Sequence, residues 1–280
     1  MRLLQHNDRG DICLTEDYHD DDIPPYAILS HTWGSDEVTF KDITNGTGED
    51  KAGYNKIRFC GKEALRDGLQ YFWVDTCCID KSSSAELQEA INSMYRWYRN
   101  AKKCYVYLAD VSIPIVGEIS ASTELQWKPA FQNSRWFTRG WTLQELIAPE
   151  SVQFFSKEGI ELGSKSSLEK DIREITGIPS VALRGSSLSD FTVSKRFSWA
   201  KKRNTKRAED KAYSLLGIFD VQMAMIYGEG EDKAFRRLHE EISKDSRNKS
   251  LVPGNHKPRC YICLCRYLIE RKTGRRLMVD

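Results

Sequence analysis

Tryptophan, arginine and glutamate side chains are concentrated in residues 134–146. The five that could carry chemistry are Arg135, Trp136, Arg139, Trp141 and Glu145. Because tryptophan is costly to expose and arginine is costly to bury, this mixture favours the wall of a site over an ordinary core segment. A carboxylate held among indoles and guanidiniums could serve catalysis or anchor a ligand. The alternative is a packing helix in which Glu145 pairs with a neighbouring arginine, because structural ion pairs are common.

Two more groups of polar and aromatic residues follow short apolar runs. At the end of the run 26–30 lie Ser30, His31, Trp33 and Gly34. A histidine after a buried strand more often satisfies a loop than performs catalysis, although His31 could orient a carboxylate or a ribose. Asp75 ends the run 71–75 and could bind a sugar hydroxyl or cap the helix that follows.

The alternation of strands and helices indicates which elements must position these residues. Predicted strands cover residues 26–30, 71–75, 104–108 and 152–155. Three helices are predicted between and after these strands. The first covers residues 54–67, the second begins at a capping box formed by Ser83 and Glu86, and the third covers residues 141–147. This β-α-β-α-β order predicts an α/β fold with a parallel sheet covered by helices on both faces. Ligands of such sheets bind beyond the carboxyl ends of the strands, where the residues named above gather.

The sequence predicts four regions in one chain. They are an N-terminal lead-in (1–25), an α/β core (26–160), an α-rich C-terminal lobe of the same domain (161–247) and a divergent tail (248–280). The lobe is predicted from helical spacing in residues 165–175, 194–202, 208–218 and 231–243. The tail starts with proline and glycine, ends basic and lacks an amphipathic period. We therefore expect it to be flexible and dispensable for folding.

Composition is that of an ordinary globular protein and argues against several classes of partner. The 280 residues include 42 Lys and Arg against 40 Asp and Glu, a net charge of +2, so no global field indicates nucleic acid or membrane binding. The basic stretch 201–207 is interpreted as a solvated or ion-paired connection between helices, because Glu209 and Asp210 follow closely. No apolar run approaches the roughly 20 residues of a membrane span, and no signal peptide is recognisable. Eight cysteines in a chain of this length indicate reduced thiols, so we expect a cytoplasmic protein.

The cysteines suggest two further kinds of site. Cys77 or Cys78 with His31 would supply the nucleophile and the base of a cysteine hydrolase, but free cysteines are more often buried in cores. In the tail, the potential zinc ligands are His256, Cys260, Cys263 and Cys265. Their tight spacing and the lack of a second knuckle favour a protein without a metal site.

Three blocks of the sequence resemble those of the fungal heterokaryon-incompatibility (HET) domain. They are residues 26–34 (YAILSHTWG), 71–80 (YFWVDTCCID) and 139–146 (RGWTLQEL). Residues 209–220 and 227–230 resemble the continuation common in that family, so the similarity covers about residues 26–243. Ala224 stands where the family pattern has a proline. The family is distantly related to TIR domains, which implies a TIR- or flavodoxin-like core.

The resemblance implies a role in fungal self/non-self recognition, in which the domain triggers cell death. Many TIR domains cleave NAD with a glutamate that follows the third strand in a helix, and Glu145 falls on that position to within one residue. NAD would then be a substrate, and no cofactor is implied. The resemblance also implies activation by self-association, with an upstream sensor protein as a possible partner. The alternative is a non-enzymatic TIR-like signalling and assembly module.

The chemistry of NAD cleavage fits the residues present. Nicotinamide is cationic on the sugar and leaves as a neutral molecule, so one ionised carboxylate could stabilise the oxocarbenium-like transition state without an acid or a metal. The expected substrate-binding residues are Arg135 and Arg139 for the pyrophosphate, Trp33, Trp136 or Trp141 for stacking, and Ser30, His31, Gly34 and Asp75 around them. No Gly-x-Gly-x-x-Gly follows a predicted strand, which argues against NAD as a redox cofactor.

Overall fold

The computed structural model describes residues 1–113 and 121–244, with the side chains of residues 121–125 excepted. Seven strands in these ranges form one sheet. They are β1 (Leu4–His6), β2 (Ile12–Leu14), β3 (Tyr26–His31), β4 (Tyr71–Trp73), β5 (Lys103–Tyr107), β6 (Val152–Phe155) and β7 (Glu161–Ser164). Their spatial order is β2-β1-β4-β3-β5-β6-β7.

The four central strands of the sheet run parallel. β3 lies between β4 and β5, with Ile28 opposite Trp73 on one side and Cys104 on the other. The predicted α/β fold and the predicted parallel neighbours are therefore confirmed. Both edges are antiparallel, since β1 pairs with β4 and β7 pairs with β6. The sheet as a whole is thus mixed, with the four predicted parallel strands at its centre and antiparallel strands added at both sides.

The first residues of the chain are part of the sheet, which corrects the expectation of a lead-in outside the 26–160 core. β1 and β2 form an antiparallel hairpin. Leu3 and Leu4 are fully buried, and burial of such apolar side chains stabilises this edge. Each strand is only three residues long and its surroundings are polar, so the apolar pattern is too short to predict it from sequence.

Helices accompany the sheet throughout the described ranges. They are α1 (Phe40–Thr44), α2 (Tyr54–Arg66), α3 (Ser84–Asn100), α4 (Ala121–Gln132), α5 (Thr142–Ile147), α6 (Glu169–Thr176), α7 (Ser180–Leu183), α8 (Val193–Ala200), α9 (Asp210–Tyr213), α10 (Leu216–Phe219) and α11 (Glu231–Lys244). Short 3-10 turns cover Asp20–Asp22, Arg135–Thr138 and Leu188–Asp190. The order of strands and helices in the first half follows the predicted alternation.

The cap of α3 forms only half of the predicted capping box. The Ser83 hydroxyl accepts from the Glu86 backbone N–H at 3.3 Å, as an N-cap should. The Glu86 carboxylate instead accepts from the Asp80 backbone N–H at 2.8 Å and pairs with Arg2 at 2.6 Å. The carboxylate therefore ties the amino-terminal hairpin to the loop after β4.

Several helix boundaries differ from those predicted. The helix expected over 165–175 begins only at Glu169, because the Ser167 hydroxyl accepts from the Ser164 backbone N–H and forms a turn after β7. The helix expected over 208–218 is divided into α9 and α10, and a helix, α4, lies where a loop through residue 132 was expected. Gly177 ends α6 in the left-handed region, with φ of 69°, as its position predicts.

Gly217 allows α10 to pack directly on α3. A Cβ at this position would lie 2.0 Å from the Cβ of Tyr95, closer than any side chain could tolerate. The α-rich segment is therefore fixed against the layer that covers the sheet.

Two sequence-based expectations concern the remaining parts of the chain. The predicted tail, 248–280, with its candidate zinc ligands, lies outside the described residues. No helix within the described ranges combines the length and the apolar character that crossing a bilayer requires.

Candidate active site

Glu145 lies on α5, and its side chain is bonded to a residue of the central strand, β3. Its carboxyl is 8% exposed and accepts a hydrogen bond of 2.5 Å from the Ser30 hydroxyl. That hydroxyl accepts in turn from Nε1 of Trp136 at 2.8 Å. Ser30 and Trp136 are completely buried. The three side chains therefore form a relay that fixes the carboxyl near the carboxyl end of β3.

Burial dominates the electrostatics of Glu145. It raises the pKa of this carboxyl to about 8, while the Ser30 hydroxyl and the Arg203 guanidinium favour ionisation and Asp75 opposes it. The carboxyl of Glu145 therefore holds its proton at neutral pH in the ligand-free protein. The influence of Asp75 also places the two carboxyl groups in one electrostatic environment.

Arg203 is a buried cation beside this carboxyl. Its side chain is 6% exposed, and Nη1 donates to the Thr142 hydroxyl at 2.7 Å and to the Arg139 carbonyl at 2.9 Å. Burial lowers the pKa of Arg203 to about 9, and Glu145 opposes that shift. Within the described residues, Nη2 has no hydrogen-bond partner. Arg203 thus provides a guanidinium that is only partly satisfied by its neighbours.

Arg203 is the exception within residues 201–207, since the other residues of this connection between helices are exposed or half-buried. Asn204 follows it and forms a parallel bridge with Arg139, and the Asn204 backbone N–H donates to the Thr138 carbonyl at 2.6 Å. These contacts of Asn204 place the guanidinium of Arg203 next to Thr142, the first residue of α5. Local sequence carries no signal for it, because the contact joins segments that are more than 60 residues apart.

His31, Asp75 and Trp33 form a second hydrogen-bonded group at the same edge of the sheet. His31 Nε2 lies 3.0 Å from one oxygen of Asp75, and Trp33 Nε1 donates to the other at 2.8 Å. Burial alone would raise the pKa of Asp75, but Lys81 and the bonds from His31 and Trp33 outweigh it and lower the pKa to about 2. Asp75 is therefore an ionised carboxylate beside the protonated Glu145.

The other nitrogen of His31 faces a buried lysine that the sequence did not single out. Lys56 Nζ lies 3.0 Å from His31 Nδ1 and pairs with Glu37. Because an ammonium only donates and a carboxylate only accepts, His31 accepts at Nδ1 and donates from Nε2, so its ring is neutral. Glu37 also accepts from the Gly34 backbone N–H at 2.5 Å. The predicted residues His31 and Gly34 are thus fixed by the Lys56–Glu37 pair.

Trp33 forms the open rim of this group. Its side chain is 38% exposed, and the Lys81 ammonium lies 3.9 Å from the ring centroid, with that of Lys206 at 5.9 Å. Burial lowers the pKa of Lys81, and Asp75 opposes that shift. The exposed indole with two nearby ammonium groups is suited to a ligand with an aromatic ring and phosphates.

The other aromatic and cationic residues that the sequence singled out are less accessible or lie apart. Trp136 is core and cannot stack on a ligand, which corrects that expectation. Trp141 is half-buried and bonds to Asp210. Arg135 is exposed, 3.7 Å from Asp110, and Arg139 is half-buried. Within the described residues, neither guanidinium bonds to Glu145 or Asp75.

The comparison with known proteins identifies the family. Residues 26–113 match the family described as heterokaryon incompatibility protein (HET). Over 247 residues, 88% of this chain, the sequence is 61% identical to vegetative incompatibility protein HET-E-1 of Podospora anserina. The chain therefore belongs to the HET family. It spans 18% of the length of that relative. No solved structure matches the chain.

The part of the HET domain that matches the family, residues 26–113, contains the group around Trp33 and Asp75. Glu145 and Arg203 lie beyond that range. The fold nevertheless brings them to the same edge of the sheet, through the contact of Glu145 with Ser30.

The two cysteines that the sequence singled out near His31, Cys77 and Cys78, are poorly placed to act as a nucleophile. Cys77 and Cys78 are buried, and burial raises the pKa of the Cys77 thiol well above its usual value. A thiolate is therefore strongly disfavoured, and the cysteine hydrolase alternative loses its reactive group. Within the described residues, no cluster of three or more histidine, cysteine, aspartate or glutamate side chains could hold a metal ion.

Proposed function

We propose that this HET domain is a cell-death effector of fungal allorecognition that hydrolyses NAD at the nicotinamide–ribose bond when it is clustered. The biological role is supported by the family description and by the relative of 61% identity, whose name states vegetative incompatibility. The reaction is supported by one observation above all. The Glu145 carboxyl is held by Ser30 beside the ionised Asp75, at the edge where parallel sheets bind ligands.

A bound nicotinamide ribosyl group would complete the electrostatics of the site. Its positive charge lowers the pKa of Glu145, so the carboxyl loses its proton as the substrate enters. The ionised carboxylate then stabilises the cationic sugar as nicotinamide leaves with the bonding electron pair. Water adds to the same carbon and releases one proton. The products are ADP-ribose, neutral nicotinamide and that proton, so no metal or redox partner is needed.

The substrate-binding roles follow from exposure. The open face of Trp33 would stack on a base, and Lys81 and Lys206 would meet the phosphates. Asp75 would accept hydrogen bonds from ribose hydroxyls, with His31 holding it in place. Arg139 keeps the predicted role at the pyrophosphate. Arg135 takes that role only if its side chain leaves Asp110.

The burial of Glu145 gives a physical reason why the domain would need to cluster before it can act. Because Glu145 is only 8% exposed, its carboxyl is not open to a substrate, and the segments that cover α5 would have to move before catalysis. Self-association of the domain, driven by an upstream sensor protein, would supply that movement. The chain alone is then expected to have low activity.

The non-enzymatic signalling module stays as a second candidate, and the same burial favours it. A carboxyl that is bonded to Ser30 and influenced electrostatically by Arg203 could serve only to fix α5 on the sheet. In that case the edge around Trp33 would be an assembly surface.

The experiment fuses the full chain to a dimerisation module controlled by a small ligand. Nicotinamide release from NAD is measured with and without that ligand, for the wild type, Glu145→Gln and the control Glu174→Gln, whose side chain is exposed on α6. We expect release only in the clustered wild type and control. If clustered wild type kills cells without releasing nicotinamide, the assembly module is correct and the hydrolase is not.

A further inference from the structure

A large cleft lies outside the Glu145 site, and Glu145 is not among the residues that line it. Its volume is about 1000 Å³. One wall is the turn that leads into β6 and includes Glu150 and Ser151, and another is the end of α3 with Arg99. The third is formed by α10 and the segment after α7. Because β6 begins here, this cleft lies at the amino edge of the parallel strands, opposite the Trp33 group.

Positive charge predominates in the cleft. Its lining includes four cations, Arg99, Lys165, Arg184 and Arg196, and two carboxylates, Glu150 and Asp220. Four minus two leaves an excess of two positive charges. Arg184 is also engaged with Glu169 through two hydrogen bonds, of 2.6 and 2.8 Å. Arg196 is buried and its Nη1 donates to the Ile218 carbonyl at 3.0 Å, so the positive charge that faces the cleft comes chiefly from Arg99 and Lys165.

Lys165 is buried in the wall of the cleft and is not an exposed surface lysine. The residue is 8% exposed, and Nζ donates to the Pro149 carbonyl at 2.5 Å and to the Leu146 carbonyl at 3.5 Å. Among the described residues, no carboxylate lies within 4.0 Å of this ammonium. Burial lowers the pKa of Lys165 and Glu150 in the same cleft opposes that shift, so an anion bound beside Nζ would favour the charged form.

Serine hydroxyls supply further donors around the cations. Ser164 and Ser166 are joined by a hydrogen bond of 2.7 Å, and Ser187 and Ser189 by another of 2.7 Å. All four line the cleft. These weak mutual bonds can be exchanged for bonds to ligand oxygens. Guanidinium, ammonium and hydroxyl groups together are the donors that phosphate oxygens accept best.

We propose that this cleft is a second ligand site, separate from the Glu145 edge, that binds a small phosphorylated molecule of nucleotide size. The volume falls within the usual range of sites for such ligands, about 300–1,000 Å³. Tyr95, half-buried in the same wall, offers an aromatic surface for the part of the ligand that is not phosphate. The proposal is independent of NAD hydrolysis, since no residue of the Trp33 group takes part.

The test is isothermal titration of the full chain with ADP, pyrophosphate and adenosine. Two variants place a negative charge at exposed positions of the cleft, Arg99→Glu by reversing a charge and Ser187→Glu by adding one, so both should fold. The matched control is Arg96→Glu, on the same helix but directed to Asp20 at 2.8 Å. A further variant, Lys81→Gln, removes a cation from the proposed NAD edge and so shows whether a probe binds there instead of in the cleft.

We expect saturable binding of ADP and pyrophosphate to the wild type and to the Arg96→Glu control. Binding to each cleft variant should be weaker by about tenfold or more, and adenosine should bind the wild type more weakly than ADP by a similar factor. The proposal is wrong if no phosphorylated probe saturates the wild type at millimolar concentration. It is also wrong if Lys81→Gln abolishes binding while Arg99→Glu preserves it. Nicotinamide release by the clustered chain is measured separately, so loss of one proposal does not decide the other.

Discussion

Ser30 and Glu145 are 115 residues apart in the chain and are joined by a hydrogen bond of 2.5 Å. The bond links the central strand of the sheet to the helix that follows the third parallel strand. Both groups are shielded from water, so the bond fixes the carboxyl more firmly than the same contact at a surface would. It also makes the protonation of Glu145 a property of the fold, because burial and one donor decide it together.

Glu145→Gln is expected to abolish nicotinamide release from the clustered domain and leave folding intact. At neutral pH the carboxyl is protonated, so glutamine retains its volume and lacks only the ability to ionise. Loss of one such electrostatic contact in a transition state costs on the order of a hundredfold or more in rate. The measurements are nicotinamide release and the melting temperature. A variant that unfolds would support a structural ion pair, and one that keeps full activity would remove Glu145 from the mechanism.

The stability of the protein should depend on pH through Glu145. Burial raises its pKa from 4.5 to about 8, so the folded state holds a proton that the unfolded chain has already released in that window. The free energy of unfolding therefore falls as pH rises from about 4.5 to about 8, by about 1.4 kcal/mol at most per unit of pKa shift.

The difference between wild type and Glu145→Gln isolates this contribution. Urea unfolding of both proteins from pH 5 to pH 9 is the measurement, and the variant should gain stability relative to the wild type as pH rises. Asp75 affects stability only at acidic pH. Its pKa is lowered to about 2 in the folded protein, so the stability that its ionised form contributes is lost as pH falls from about 3.8 to about 2. Parallel curves for the two proteins would show that Glu145 ionises freely in the folded state.

The sequence predicted the order of strands and helices better than it predicted which side chains contact one another at the site. The strands over 26–30, 71–75 and 104–108 and the helix around Glu145 could be predicted, because each has its own local pattern of apolar residues. The antiparallel strands β1 and β7 could not. They are three and four residues long, too short to show a clear alternation of apolar residues, and each depends on pairing with a neighbouring strand of the sheet.

The same limit applies to the site residues. Trp33 and Trp136 are equivalent by composition, yet one is 38% exposed and the other is completely buried. Only the fold decides this, since Trp136 Nε1 finds its acceptor in Ser30, 106 residues earlier. Arg203 was hidden in a basic stretch of the ordinary solvated kind. Its burial depends on a tether to Arg139 that no local pattern records.

Trp33 and Trp136 should respond in opposite ways to replacement by alanine. Trp33→Ala should change the free energy of unfolding little and raise the KM for NAD on the order of tenfold, because one base–aromatic stacking contact is lost. Trp136→Ala should cost about 3–5 kcal/mol of stability, as expected for a large side chain removed from a core. Denaturant unfolding and steady-state kinetics of the clustered protein distinguish them. Equal losses of stability in both variants would contradict the different exposure of the two indoles.

Ser30→Ala should raise the pKa of Glu145 further, because the hydroxyl is the donor that favours its ionised form. The pH at which kcat/KM for NAD reaches half its maximum should therefore move upward from about 8. Stability should fall by about 1–3 kcal/mol, since Trp136 Nε1 loses its acceptor in a buried position.

Ser156→Ala is the matched control for this substitution. Ser156 is also completely buried, and its hydroxyl donates to the Glu158 carboxylate at 2.8 Å, at the end of β6. Both variants should lose stability, but only Ser30→Ala should shift the pH profile. Carbon-13 NMR of the labelled Glu145 carboxyl gives the same pKa without reference to activity. An unchanged Glu145 titration in Ser30→Ala would show that the 2.5 Å contact contributes nothing to the protonation of this carboxyl.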